Sequence, residues 1–211
     1  KLQEFNGLFR QSKLTSLIDH TDSSILNNTT TVTMGKLFTP VGSSSSYDIN
    51  FNNAFYNPYT GYNTASGGVI ASTGFYLDNS TTTEYFFDDD GSGNLRIYSL
   101  SSAGVRTYLN TTAGTVDYTN GTISTTSLFI SAISDVDGAS STRVRITAIP
   151  NSNDVVPVRN QILEIDLVNT TTGGTVDAQA TTGLGYTVTS TGTTSTTTVT
   201  TPSSTSTTSA Y

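Results

Sequence analysis

Apolar side chains in the first twenty residues recur mostly at intervals of three or four, with charged and polar residues between them. This spacing predicts an amphipathic helix over residues 2–20, although Gly7 weakens it. The string 19–24 is rich in turn and capping residues, so we expect the helix to end near His20, with one short turn through Leu26. The apolar positions are Leu2, Phe5, Leu8, Phe9, Leu14, Leu17 and Ile18.

From residue 29 the period changes to short runs of Val, Ile, Thr, Tyr and Phe bounded by Gly, Asn, Asp and Ser. Such runs are typical of strands and turns in an all-β domain. Apolar and polar residues alternate clearly in 143–148 and 162–168, so we expect each strand to bury one face. The predicted strands are residues 30–38, 47–55, 69–77, 84–88, 94–100, 105–109, 115–118, 128–133, 143–149 and 162–168.

Turn sequences such as Asn120-Gly121 separate these runs, and no helical stretch lies between them. Hairpins follow from such turns, whereas parallel strands would need helical crossovers. The predicted fold is therefore mainly β, with antiparallel hairpins and meander sheets, a short N-terminal helix and an extended Thr/Ser-rich C-terminal tail.

We divide the chain into a helical lead-in (residues 1–28), an antiparallel β domain (29–169) and an extended or disordered tail (170–211). The tail has too few apolar side chains to close a core of its own. We expect it to lie on a neighbouring chain when ordered, with residues 185–189 adding to an exposed sheet edge. Because the chain opens on Lys1 and runs straight into an amphipathic pattern, we also expect it to be a piece of a longer polypeptide.

Composition excludes several kinds of chemistry. Nine basic against sixteen acidic residues give a net charge of −7, which argues against a nucleic-acid surface. The chain has no cysteine, which excludes thiolate sites. It has a single histidine, so a Ser-His-Asp triad is improbable. No apolar run approaches the length of about 18 residues that a membrane-spanning helix needs. Charged residues are only 12% of the chain, while Thr and Ser make up about a third, which favours β structure packed among other proteins.

The most metal-like string is 88–94, in which Asp88, Asp89 and Asp90 precede a Gly-rich bend. A calcium loop of that form needs a bidentate Glu late in its twelve-residue frame, and that position holds Ser99. We therefore predict a hairpin tip whose carboxylates stay solvated, and assign no metal.

Four carboxylates, Glu84, Asp88, Glu164 and Asp166, are candidates for a paired acid/base site of the glycosidase type. Charges that alternate with apolar residues on strands more often form the wet face of a sheet, and the chain has no Trp. His20 is interpreted as a helix-end residue. Ser72 and Ser92 are not in a nucleophile-elbow frame. We predict no catalytic or cofactor-binding residue, no cofactor, and hence no enzyme.

Residues 55–63 form an aromatic loop that contains Tyr56, Tyr59 and Tyr62. Tyrosine combines a large apolar area with a hydrogen-bonding tip, so the loop could be a contact patch. A long loop tucked over the sheet would use tyrosine in the same way, and the sequence leaves both interpretations open.

Several strings, taken in order, resemble the C-terminal region of the large inner-ring baseplate wedge subunit of T-even-type contractile-tailed phages and their cyanophage relatives. The resemblance covers residues 14–168, and each string alone is also a plausible hairpin. The strings are LID at 17–19, SSILNN at 23–28, YDINFNN at 47–53, IASTGF at 70–75, DDGSGNLRIY at 89–98, GTVDYTNGTI at 114–123 and PNSNDVVPVRNQIL at 150–163.

This resemblance implies a non-enzymatic structural component of the virion's tail baseplate, assembled in the host cytoplasm. Its partners would be itself, as a homodimer within a ring, and other wedge or tail proteins, with no nucleic acid, membrane or small-molecule substrate. The chain would hold about the last third of such a subunit. An alternative of another class is an extracellular adhesin or fibre module that binds a glycan or host protein through the Tyr loop.

Overall fold

The computed structural model describes residues 7–62, 68–135, 140–157, 162–167 and 169–174. The chain divides into two compact units, Lys1–Leu163 and Glu164–Tyr211. Every helix and strand of the described residues lies in the first unit. In the second unit, Asp166 closes a local turn by accepting hydrogen bonds from the backbone and side chain of Asn169 at 3.3 and 2.7 Å.

The first unit contains twelve strands and one helix within the described residues, and every strand pairing is antiparallel. This confirms the predicted mainly β fold with one short helix. In chain order the elements are β1 (Phe9–Arg10), α1 (Gln11–Asp19), β2 (Met34–Phe38), β3 (Asp48–Asn50), β4 (Ile70–Ser72), β5 (Phe75–Leu77), β6 (Tyr85–Asp89), β7 (Asn94–Leu100), β8 (Arg106–Asp117), β9 (Thr122–Thr125), β10 (Ile130–Ile133), β11 (Val144–Ala148) and β12 (Asp154–Val155).

The strands form three sheets. The largest has seven strands in the order β10-β5-β6-β7-β8-β9-β3, a second has the order β2-β11-β4, and β1 pairs with β12. Side chains join the first two sheets where β4 meets β6: Phe87 N–H donates to Ser72 Oγ at 2.8 Å, and Ile70 N–H donates to Asp89 Oδ1 at 2.8 Å.

The core takes side chains from all three sheets and is almost entirely aliphatic and phenylalanine. Phe75 and Phe87 are fully buried and their ring centroids lie 4.5 Å apart. In β11, Val144, Ile146 and Ala148 are buried while the intervening residues are half-exposed, which confirms the predicted alternation. The other fully buried large apolar side chains are Ile70, Leu95, Ile97, Ile123, Ile146 and Val144.

The predicted N-terminal helix begins too early. The described residues before Gln11 are not helical, because Phe9 and Arg10 pair as a short strand with Val155 and Asp154. Tertiary pairing therefore overrides the helical spacing at this end. The helix ends at Asp19, close to the predicted end at His20. Residues 1–6, the rest of that prediction, lie outside the described residues.

Several strand predictions also need correction. The run 69–77 is two strands, β4 and β5, in different sheets. The run 105–109 joins 115–118 in the single long strand β8, and β9 was not predicted because Ile123 is its only apolar residue. No strand forms in residues 162–167. The expectation that each strand buries one face is wrong for β7, where Leu95, Arg96, Ile97 and Tyr98 are all buried.

The pairing of β7 with β8 is irregular. Leu95 is opposite Gly114, Ile97 opposite Asn110 and Tyr98 opposite Tyr108, so β8 contains extra residues at two bulges. Bulges bend a strand and increase its twist. Beyond them, Tyr98 and Ser99 still pair with β6 on their other side, and β7 and β8 then continue as a two-stranded hairpin arm, residues 100–105, whose turn residues 101–104 are exposed.

Gly121 is the tightest backbone turn of the large sheet. Its φ is +66°, and a Cβ there would lie 1.8 Å from the carbonyl oxygen of Asn53. We expect Gly121→Ala to lower the free energy of unfolding by about 2 kcal/mol or more. The matched control is Gly104→Ala in the arm, where φ is +76° but no atom lies within 4 Å, so only about 1 kcal/mol of strain is expected. Urea denaturation of both variants measures the difference, and equal losses would contradict the role of the Asn53 contact.

Candidate functional site

The outer face of β6, β7 and β8 carries an unusual set of side chains. Residues two apart on a strand share a face, and Asp88 on β6 lies directly opposite Arg96 on β7. Tyr98 is likewise opposite Tyr108 on β8. Together with Arg106 these residues form a charged aromatic cluster, which we call the Asp88 network.

Asp88 is 1% exposed and accepts hydrogen bonds at both carboxylate oxygens. Arg96 Nε donates to Oδ1 at 2.8 Å, while Arg106 Nη1 and Tyr108 Oη donate to Oδ2 at 2.6 and 3.0 Å. Charge-assisted bonds of this kind are about twice as strong as neutral ones. A buried carboxylate therefore links three consecutive strands.

The guanidinium groups also lie over aromatic rings. Arg96 is 4.4 Å from the centroid of the Tyr108 ring, and Arg106 is 4.4 Å from that of Tyr98. Phe86 stacks on Tyr98 at 5.6 Å. Cation–π contacts gain strength when they are desolvated, and here they cover the buried charge with rings. The pKa values of Tyr98 and Tyr108 are raised, chiefly by burial and further by the negative charge of Asp88.

Asp89 points to the opposite face and is fully buried. Its carboxylate accepts from Ile70 N–H at 2.8 Å and from Tyr118 Oη at 2.6 Å, while its backbone carbonyl accepts from Arg96 Nη2 at 2.7 Å. Burial and the bond to Asp89 raise the pKa of Tyr118 well above its ordinary value. A Cβ on Gly68 would lie 1.9 Å from Asp89 Oδ1, so glycine is required there.

Asp90 is half-buried and holds the turn that follows. Its Oδ1 accepts from the backbone N–H groups of Ser92 and Asn94 at 2.7 and 3.0 Å, and its Oδ2 accepts from Asn94 Nδ2 at 2.6 Å. Burial disfavours its charge, but these hydrogen bonds outweigh burial and the pKa of Asp90 is lowered. The prediction of three solvated carboxylates is therefore wrong: strand pairing draws Asp88 and Asp89 into the interior.

The carboxylates of this string are engaged by N–H and O–H donors, which leaves a poor ligand set for calcium. Within the described part of the chain, no three His, Asp or Glu side chains are grouped to hold a metal ion. Of the other acid/base candidates, Glu84 is half-buried, while Glu164 and Asp166 are exposed residues of the second unit. The absence of a metal or catalytic residue stays a prediction.

The remaining candidates have structural contacts. His20 caps the end of α1 and its Nδ1 lies 2.6 Å from the carbonyl oxygen of Ser16, as expected of a helix-end residue. Ser72 accepts from Phe87 N–H, and Ser92 is exposed in a turn. No helix in the described part of the chain has the length and apolar character needed to cross a bilayer.

The Tyr loop is pinned at its base and exposed at its rings. Gly61 N–H and Asn57 Nδ2 both donate to the carbonyl oxygen of Gly91, at 2.9 and 3.1 Å. Tyr62 meets Tyr56 and Tyr59 edge to face at 5.5 and 5.3 Å. Tyr59 is 64% exposed, so the rings are available for contact rather than tucked over the sheet.

Residues 7–33 contain no buried side chain. Helix α1 has no buried residue, and Leu17 and Leu26 are exposed. Polar bonds hold the helix in place: Gln11 Nε2 donates to the carbonyl oxygen of Thr30, and Asn28 Nδ2 donates to that of Thr15 at 3.1 Å. Among the described residues, no element buries the apolar side chains of this helix.

Comparison with known families places a match on this same segment. Residues 1–37 match the family described as baseplate structural protein gp6, C-terminal domain III. The matched range includes β1, α1 and most of β2. No curated protein matches the chain. The family match supports a phage baseplate structural protein with a virion tail location and assembly with other baseplate proteins, and it suggests a non-enzymatic role.

Sequence reasoning missed the arginines and tyrosines of the Asp88 network. A signal was present, because the spacing Arg-x-Tyr occurs at Arg96 and Tyr98 and again at Arg106 and Tyr108. On paired strands that spacing places both arginines and both rings on one face. Burial of that face could not be read from the same pattern, since the side chains cover one another.

Asp88→Asn should destabilise the first unit strongly. The variant removes the charge that neutralises buried Arg96, and breaking one side of a buried ion pair costs about 3–5 kcal/mol. Asp48→Asn, an exposed carboxylate on β3, is the matched control and should stay within about 0.5 kcal/mol of wild type. Urea unfolding provides the measurement, and equal stabilities of the two variants would show that the network contributes nothing.

Stability should fall at alkaline pH. In the folded chain the pKa values of Tyr98, Tyr108 and Tyr118 are raised above their unfolded value of about 10, so folding favours the protonated rings. The stabilisation is complete below about pH 10 and is lost as pH rises from there toward the folded values. Unfolding free energies between about pH 8 and pH 11 measure the slope. Tyr118→Phe should be less stable at pH 8 yet show a shallower slope, and an unchanged slope would contradict the assignment.

Proposed function

We propose that the chain is a structural subunit of a phage contractile-tail baseplate, of the wedge type, that acts by protein–protein assembly. The observation that supports it most is the family match over residues 1–37, a range that includes helix α1, which has no buried residue. The resemblance over residues 14–168 adds the wedge subunit and its C-terminal part to the proposal. The partners proposed are a second copy, paired within a ring, and other wedge or tail proteins, after assembly in the host cytoplasm.

Within the first unit, the buried core and the exposed apolar side chains lie in different segments. The strands supply most of a buried apolar core, whereas α1, β2 and the residues between them contribute apolar side chains to the surface, Leu17, Leu26 and Leu37 among them. In a ring each such face would be covered by a neighbour. We retain residues 1–28 as an assembly lead-in, 29–169 as the β domain and 170–211 as a tail contacting a neighbour. Residues 175–211 of that tail lie outside the described residues.

The net charge of −7 and the engaged carboxylates support the remaining parts of the proposal: no catalysis, no cofactor, and no nucleic acid, membrane or small-molecule substrate. The adhesin alternative would use Tyr56, Tyr59 and Tyr62 as its contact surface. The family match does not favour that alternative.

Leu17→Asp should reduce incorporation of the chain into tail particles while leaving the β core intact. Leu17 is 60% exposed on α1, so its loss removes an intermolecular contact and little folding energy. Val105→Asp is the matched control, because Val105 is 62% exposed in the arm, away from the matched segment. Immunoblots of purified particles report incorporation, and thermal melts of the isolated variants report folding.

Normal incorporation of Leu17→Asp would contradict the role of α1. Complete absence of the wild-type chain from purified tail particles would contradict the baseplate function itself.

A further inference from the structure

Among the described residues, the outer hydrogen-bonding edge of strand β2 pairs with no other strand. This strand is the outer strand of the sheet β2-β11-β4, and the hydrogen bonds of β11 show which of its groups face outward. Thr73 N–H donates to the carbonyl oxygen of Arg145, and Ile149 N–H donates to that of Val69. The odd-numbered residues of β11 therefore bond to the β4 side, and the even-numbered ones bond to β2.

The register then decides the direction of each group on β2. Ile146 is opposite Lys36, with Val144 opposite Phe38 and Ala148 opposite Met34, so these three residues of β2 bond inward. The backbone N–H and C=O groups of Gly35 and Leu37 point away from the sheet. Among the described residues neither has a hydrogen-bond partner outside the strand, and a Cβ on Gly35 would meet nothing within 4 Å.

The usual protections of an edge strand are weak here. A lysine on an edge deters pairing, but the Lys36 ammonium donates inward to the carbonyl oxygen of Asn50. Leu37 is 54% exposed on the same strand. An open edge with an exposed leucine is a template for adding another strand.

We propose that β2 pairs with β2 of a second copy across a two-fold axis at Leu37, joining two three-stranded sheets into one six-stranded sheet. Gly35 and Thr39 would exchange hydrogen bonds, as would the two Leu37 residues. This register places Lys36 of one copy opposite Phe38 of the other, so like charges do not meet. The alternative two-fold register, centred on Lys36, would set two ammonium groups face to face.

Because the edge of β2 is complementary to itself, we expect it to pair with a second copy of the chain rather than with an unrelated strand. A two-fold contact uses the same patch on both subunits, and this patch satisfies its own backbone groups and charges. The inference rests on the proposed function for its biological setting, because it names the surface through which the subunit would pair with itself.

Sedimentation equilibrium of the full chain tests the pairing. Wild type should be a dimer, and Leu37→Lys should be a monomer because two ammonium groups would meet at the axis. Val105→Lys, which adds the same charge at an exposed residue of the arm, should stay dimeric. Circular dichroism of each variant reports whether it has folded. A monomeric wild type, or a folded Leu37→Lys that remains a dimer, would overturn the proposal.

A cysteine variant makes the test independent of the lysine variant. The chain has no cysteine, so Leu37→Cys introduces a unique thiol. Opposite residues in an antiparallel pair have Cα atoms about 5.5 Å apart, within reach of a disulfide. Oxidation should cross-link Leu37→Cys and leave Val105→Cys monomeric on a denaturing gel. Failure to cross-link, or equal cross-linking of both variants, counts against the pairing.

Amide hydrogen exchange adds a residue-specific measurement. Exchange at Gly35 and Leu37 should slow as protein concentration rises, whereas exchange at Lys36 and Phe38 should not change, since those amides are already bonded to β11. Equal behaviour of the two sets would overturn the register. A chain that dimerises this way yet is absent from baseplates would refute only the proposed function, and a monomeric chain present in baseplates would refute only the pairing.

Discussion

The carboxylate of Asp88 is the point on which the central strands depend. It is buried where β6, β7 and β8 run side by side, and each neighbour supplies a donor to it: Arg96 from β7, Arg106 and Tyr108 from β8. Removing Asp88 would take the neutralising carboxylate away from the buried Arg96 in a low-dielectric region, which is costly. The alignment of the three strands is thereby tied to one chemical group rather than to apolar packing alone.

A replacement of the whole network by apolar residues could be as stable, because desolvation of ions offsets much of their attraction. The ion pairs instead fix the register of the three strands. Asp88 can be satisfied only when Arg96 is directly opposite it and Tyr108 is level with Tyr98, so a one-residue slip of either strand would leave buried charges unpaired. On the other face, Asp89 links β6 to β4 and Tyr118 in the same way, and so connects the large sheet to the smaller one.

The sequence predicted the fold class well and the site poorly, for physical reasons. Period-two alternation and turn residues located β7 to the residue and β11 to within one residue at each end. The start of α1 failed because Phe9 and Arg10 pair with a strand some 145 residues later, which local spacing does not encode. The prediction that the carboxylates of residues 88–90 are solvated was wrong. A polar side chain can be buried when hydrogen-bond donors from other strands satisfy it. The partners of Asp88 lie on the next two strands and one partner of Asp89 lies on β4, so they become visible only with the strand pairing.

The arm at residues 100–105 lies beyond the bulged pairing of β7 with β8 and beyond the last pair that β7 makes with β6, Ser99 with Tyr85. Its turn is exposed, and Gly104 has open space around it. Insertions are best tolerated at exposed turns whose backbone bonds are local. The arm is thus the natural place for the chain to vary in length during evolution, and a practical place to attach a peptide tag without disturbing either β2 or the Asp88 network.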